Sequence, residues 1–216
     1  MTGPPEVSPL GDSALLVTLG RTVDPAVNAR ITALAASLRR LAWPGVTDVV
    51  PAYASLAVFF DPLAADPDAL AEGLRALALA SEDAPAPPPG PLHRIRVTYD
   101  GPDLAEVAER TGLAPEEVVR RHAAATYTVF FLGFVPGFAY LGPLDPALVL
   151  PRRPEPRRRV PAGSVAIAGA QTAIYPLPTP GGWHLIGRTD AALFDPARDP
   201  PALLAPGDRV RFEPAP

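Results

Sequence analysis

The side chains best suited to chemistry gather in the second half of the chain. Residues 122–144, HAAATYTVFFLGFVPGFAYLGPL, place His122 and Tyr127 ahead of Phe130, Phe131, Phe134, Phe138 and Tyr140, with Gly133, Gly137 and Gly142 set among the rings. Glycine lets backbone approach closely and aromatic rings make a rigid apolar surface, so the stretch reads either as a pocket wall or as a core strand with a wide turn. Residues 169–189, GAQTAIYPLPTPGGWHLIGRT, set Gln171, Thr172, Tyr175 and Arg188 among prolines, with Gly182 beside Trp183. Histidine titrates nearest neutrality, which makes His122 the candidate general base; the alternative is a capping or packing residue at a helix end. Together these groups make a binding site with one proton-transfer residue, not a self-sufficient catalyst.

Between the two stretches, residues 151–164, PRRPEPRRRVPAGS, crowd Arg152, Arg153, Arg157, Arg158 and Arg159 into eight positions. Guanidinium forks suit carboxylate and phosphate oxygens, and the competing reading is a solvated, proline-stiffened loop. All 19 basic residues are arginine, which excludes Schiff-base, biotin-carrying and phosphate-binding lysines on this chain. The absence of cysteine removes thiolate nucleophiles, disulfides and zinc ribbons. The three histidines lack ligand-spaced partners, so no metal site is expected. No G-x-S-x-G elbow, H-E-x-x-H helix or complete phosphate loop occurs. A net charge of −4 provides no field for nucleic acid or membrane. No apolar run nears the roughly 20 residues a bilayer span needs, and no targeting signal is visible at the start. A cytoplasmic protein is expected.

The 216 residues, 48% of them hydrophobic, suffice for two modest domains. In the first, residues 14–19 form a short apolar strand, and Asp24-Pro25 supplies an N-cap and first-turn proline. Val27, Ile31, Leu34, Leu38 and Leu41 then recur at helical spacing. Strands follow at 46–50 and 54–60, and Asp66-Pro67 opens a second helix carrying Leu70, Leu74 and Leu77. The order β-α-β-β-α predicts a two-layer sandwich of ferredoxin-like type, both helices on one face of an antiparallel sheet. Residues 81–91, SEDAPAPPPGP, read as an extended linker. Beyond it come a strand at 93–99, a turn at Gly101-Pro102-Asp103, a helix through Arg110 and another from Pro115 to about His122. Short apolar runs at 126–132, 164–168, 183–186 and 209–212, separated by Gly- and Pro-rich turns, predict a β-barrel. The expected fold is α+β, with domains 1–85 and 86–216.

The stretches FLGFVPGFAYLGPL, PRRPEPRRRVPAGSVAIAGAQTAIYPLPTPGGWHLIGRT and LFDPARDPPALLAPGDRVRF closely resemble the family of 5-oxoprolinase B subunits, also labelled allophanate hydrolase subunit 1, which includes the sporulation-kinase inhibitor KipI. GDSALLV, GPDLAEVAERTGL and HAAATYTV extend the resemblance over nearly the whole chain. It implies an N-terminal ferredoxin-like domain and a C-terminal cyclophilin-like barrel. It also implies a carboxyltransferase-like pairing with a companion C subunit, joined by an A subunit, in the ATP-dependent opening of 5-oxo-L-proline to L-glutamate. ATP would be used by the assembled complex. The alternatives it leaves are a KipI-type inhibitor of a histidine kinase and a component of a urea carboxylase or allophanate pathway.

By position, the shared pattern falls on His122, Tyr127, Gly133, Phe134, Pro136, Gly137, Phe138, Tyr140, Arg152, Arg157, Gly163, Ser164, Gln171, Thr172, Tyr175, Gly181, Gly182, Trp183 and Arg188. On the reading as an enzyme subunit, Arg152 or Arg157 would hold a carboxylate or phosphate, Gln171 and Tyr175 would orient an amide and His122 would move a proton. Ala139, Ala173 and His184 depart from the usual family residues, and the turn at Asp100-Gly101-Pro102 is shorter than the usual glycine-rich loop.

Overall fold

A computed structural model describes residues 4–81 and 88–215. Most of the expected linker and the boundary between residues 85 and 86 lie outside the described residues. The chain divides into two compact units, Met1–Pro88 and Pro89–Pro216.

The first unit runs β1 (Glu6–Pro9), β2 (Ala14–Thr18), α1 (Pro25–Leu41), β3 (Val46–Pro51), β4 (Ser55–Phe60) and α2 (Pro67–Ala80). Both helices start as their caps require: Asp24 Oδ1 accepts from the Ala26 N–H at 2.7 Å and Asp66 Oδ1 from the Asp68 N–H at 2.9 Å, with proline in each first turn. Their stripes, Val27, Ile31, Leu34 and Leu38 on α1 and Leu70 and Leu74 on α2, join Leu15, Val17, Leu56 and Val58 in one core. Leu41, expected on the α1 stripe, is 49% exposed, because the helix ends there and the chain turns away through Ala42 in a left-handed conformation. The antiparallel sheet has the order β1-β2-β4-β3. Strand β1 is absent from the sequence reading. Its Glu and Pro carry no strand pattern, and an edge position tolerates both.

The second unit runs β5 (Leu92–Val97), α3 (Leu104–Thr111), α4 (Pro115–Ala124), β6 (Thr126–Leu132), β7 (Ala139–Gly142), β8 (Arg157–Val160), β9 (Ser164–Ala168), β10 (Gln171–Ile174), β11 (Thr179–Gly181), β12 (His184–Arg188) and β13 (Arg209–Pro214). Seven strands form one sheet in the order β12-β9-β10-β7-β6-β13-β5, while β8 and β11 make a separate ribbon. The sheet curls until its ends nearly meet. Just past β5, Thr98 and Arg188 of β12 exchange two backbone hydrogen bonds of 2.9 Å, so most of the edge problem of an open sheet is removed.

Along β9 and β10 the side chains alternate with period two, and both faces are covered. Val165, Ile167 and Ile174 enter the main core with Val97, Val129, Leu141 and Phe212. Ala166, Ala168 and Ala173 face the other way, into a smaller cluster with Phe138, Tyr175, Trp183 and Leu185. Methyl groups on this second face leave room for large rings, and the candidate site lies there.

Candidate functional site

Four segments converge on a cleft of about 230 Å3 on that outer face. Phe134, Phe138 and Tyr140 come from the turn between β6 and β7 and from β7 itself, and Arg152 and Pro156 from the loop before β8. Tyr175 follows β10, and Pro180, Gly181, Gly182 and Trp183 lead from β11 to β12. Phe138 is the hub: its ring stands edge-on to Tyr140 at 5.0 Å, Tyr175 at 5.3 Å, Phe134 at 5.5 Å and Trp183 at 5.8 Å. Such T-shaped pairs satisfy the ring quadrupoles and fix the walls before any ligand arrives.

Local backbone explains the cleft's shape. The β6–β7 turn is closed by bonds from the Gly133 N–H to the Phe138 carbonyl at 3.1 Å and from the Phe138 N–H to the Val135 carbonyl at 3.0 Å. Within it Phe134 adopts φ 70°, a left-handed conformation that costs a side-chain-bearing residue, and its ring is 61% exposed. At Gly181 even a methyl group would collide with the Tyr175 hydroxyl, so glycine here is what admits the phenol to the cleft.

The polar equipment is sparse. Arg152 places its guanidinium carbon 5.9 Å from the Trp183 ring centre, and among the described residues no carboxylate pairs with it. Burial pushes the Tyr175 phenol above its ordinary value, while a bond from the Trp183 backbone N–H pulls the other way. Burial also raises Tyr140. Both phenols therefore keep their protons near neutral pH and can donate. Aromatic faces, one unpaired cation and phenolic donors suit a small flat ligand bearing a carboxylate and a carbonyl. Among the described residues no histidine or carboxylate lines the cleft.

Of the residues singled out by sequence, Phe134, Phe138, Tyr140, Arg152, Tyr175, Gly182 and Trp183 are brought together here. The others are placed elsewhere. His122, expected to move a proton, is a fully buried core residue with both ring nitrogens engaged. Thr172 Oγ1 donates to the Ala166 carbonyl at 3.0 Å, so it must accept from His122 Nε2–H at 2.9 Å. Bare Nδ1 then accepts from the Tyr99 hydroxyl at 2.7 Å. Burial lowers the imidazole pKa to about 3, and stacking on Phe212 at 4.6 Å completes the packing. This is a neutral, satisfied histidine with no path to a substrate.

Tyr127, also fully buried, donates to the His122 carbonyl at 2.8 Å. Thr172 belongs to the same network, and Gln171 sits half-buried in the β9–β10 ladder opposite Ala168. Gly137 allows the turn to pass Phe194, where a Cβ would come within 2.6 Å. Arg188 pairs with Asp100 at 2.9 Å beside the barrel closure. Arg157 is committed to Asp103 at 2.6 Å. Neither arginine is available as an anion clamp in the cleft.

The sequence reading missed Pro156 as a lining residue, while Gly181 of the shared pattern also lines the cleft. It also treated Asp103 as part of a turn, whereas its buried carboxylate collects Arg153, Arg157 and a backbone N–H. A polar residue spaced far from its partners leaves no local signal.

Comparison with known proteins agrees with this architecture. Residues 5–204 match the family model described as the carboxyltransferase domain, subdomain C and D. The 5-oxoprolinase B subunit of Bacillus subtilis (strain 168) is 40% identical over 96% of this chain and 91% of its own length. That of Escherichia coli O157:H7 is 45% identical over 95% and 94%. The crystal structure of TTHA0988 superposes with a TM-score of 0.84 at 46% identity over 94% of this chain, which spans 40% of the TTHA0988 chain. The urea amidolyase of K. lactis shares the fold at 23% identity and a TM-score of 0.82, over 98% of this chain and 15% of its own. With near-complete coverage in both directions by relatives of one name, this chain belongs to the family of 5-oxoprolinase B subunits.

Proposed function

We propose that this chain is the B subunit of an ATP-dependent 5-oxoprolinase that opens 5-oxo-L-proline to L-glutamate, assembled in the cytoplasm with companion C and A subunits. The observation that carries the reading is the 40% and 45% identity to two proteins of that name over nearly their full lengths. The urea-pathway alternative has weaker support, since the urea amidolyase at 23% identity speaks only for the fold. The first unit is read as a ferredoxin-like sandwich in which β1, beside β2, stands where the closing strand of a βαββαβ unit would lie. The second is read as a cyclophilin-like barrel.

The cleft's chemistry suits the substrate class. A five-membered lactam packs in the corner between the Phe138 and Trp183 rings, flat on one and edge-on to the other, Arg152 takes its carboxylate and the Tyr175 O–H donates to its ring carbonyl. That hydrogen bond draws electron density toward oxygen and makes the carbonyl carbon more open to attack. The attacking group and the proton acceptor come from the companion subunits, because the cleft holds neither. A single unpaired arginine and a chain without lysine make a poor triphosphate cradle, so no step through ATP is assigned to this chain.

Co-expression with the companion subunits tests the reading. The purified complex is expected to release glutamate from 5-oxoproline in the presence of ATP, and the chain alone to release none. Failure to form a complex, with binding of a histidine kinase by the lone chain, would favour the inhibitor role.

A further inference from the structure

Asp103 precedes α3 at the position where an aspartate ordinarily caps a helix, yet its side chain makes no cap bond. The carboxylate instead turns inward and is 4% exposed. Its Oδ1 accepts from Arg157 Nη2 at 2.6 Å and Arg153 Nη1 at 3.1 Å, and its Oδ2 accepts from the Leu185 backbone N–H at 2.7 Å. The Asp103 N–H in turn donates to the Leu185 carbonyl at 3.0 Å.

These partners lie on two neighbouring strips of chain that line the aromatic cleft. One strip, residues 152–157, carries Arg152 and Pro156; the other carries Gly181, Gly182 and Trp183 and continues into Leu185. The strips also touch each other, through the Arg153 N–H on the Gly182 carbonyl at 2.8 Å and the pairing of Arg157 with Gly181. We propose that Asp103 is a positioning residue, whose buried carboxylate locks the two strips together and so fixes Arg152 against Trp183. The role in catalysis rests on the reading of the cleft as the substrate site; the structural role does not.

Among the described residues, Arg157 has no other carboxylate partner. Arg153 Nε and Arg157 Nη1 are already buried without hydrogen-bond partners. Glu106 also bonds Arg153 Nη1, at 2.9 Å, but it is 41% exposed and shared with Arg110. In Asp103→Asn the amide NH2 must face either a guanidinium or the Leu185 N–H, donor against donor, and one strip is released.

The test uses the full chain carrying Trp43→Phe, so that Trp183 is the sole tryptophan. Asp103→Asn is expected to make Trp183, now 5% exposed, several-fold more quenchable by acrylamide. In the assembled complex it is expected to raise KM for 5-oxoproline roughly tenfold with kcat within about threefold. Glu106→Gln is expected to change neither. Unchanged quenching with a lowered melting temperature, or a fall in kcat at constant KM, overturns the proposal. Should Asp103→Asn fail to fold, Arg157→Lys, which keeps the charge and loses the fork, must move quenching and KM in the same direction or the proposal falls. Absence of turnover in the parent complex would count against the functional reading alone, because the quenching comparison judges the clamp independently of activity.

Discussion

At the scale of single residues, environment decides role more than residue type does. His122 and Arg152 are the chemically obvious side chains, and the structure assigns them opposite fates. The imidazole is held neutral by burial, with a folded pKa of about 3 against an ordinary 6.5. An unfolded chain therefore takes up a proton at His122 as the pH falls below about 6.5, while the folded chain does not until about pH 3. Stability from this group is complete above that window and declines through it, by about 2 kcal/mol between pH 7 and pH 5. Urea unfolding at the two pH values is expected to show this loss in the parent chain and a smaller one in His122→Gln; equal losses would refute it. Arg152, by contrast, spends none of its charge on the fold. Arg152→Ala is expected to leave the melting temperature nearly unchanged and to raise KM for 5-oxoproline roughly 10- to 100-fold, the usual range for losing a charge-assisted bond. Steady-state kinetics of the assembled complex check it.

Among the elements, the β6–β7 turn holds an aromatic side chain that the lone chain leaves largely exposed. A left-handed phenylalanine with 61% of its surface in solvent costs backbone energy and returns little burial. The exposed ring is expected to meet a companion subunit. Phe134→Gly is expected to leave the isolated chain at least as stable, since relief of about 1–2 kcal/mol of strain offsets the lost edge contact with Phe138. The same change should weaken association with the companion subunits roughly tenfold or more, as removal of an aromatic anchor does. Differential scanning fluorimetry and a binding titration measure the two effects. A large drop in stability with unchanged affinity would return the ring to a structural role.

For the molecule as a whole, two hydrophobic cores with no residue in common follow the division at Pro88. The second unit contains the nearly closed barrel, the histidine network and all of the aromatic cleft. A chain of residues 89–216 is therefore expected to fold alone, with a single cooperative urea transition and the near-ultraviolet signal of a buried tryptophan. Loss of cooperativity in that fragment would mean that its stability depends on the first unit. Among the described residues no helix is long and apolar enough to cross a membrane.

What the sequence determined by itself was everything carried by short-range rules. The caps at Asp24 and Asp66 with their prolines, the stripes of α1 and α2 and the limits of β9 are visible because each depends on residues a few positions apart. The same holds for composition, which removed thiol and lysine chemistry outright, and for the aromatic, glycine and arginine clusters that supplied most of the cleft. Strand β1 escaped because an edge strand needs no alternating pattern. Tertiary structure alone decided which polar groups would be spent on the fold. His122 meets Thr172 across 50 positions, and Asp103 meets Arg153 and Arg157 across 50 and 54. No local pattern records such pairings. Closure of the barrel brings these groups together in a low-dielectric interior, where an unpartnered polar group is expensive, and so withdraws His122 and Arg157 from chemistry while leaving Arg152 free at the rim.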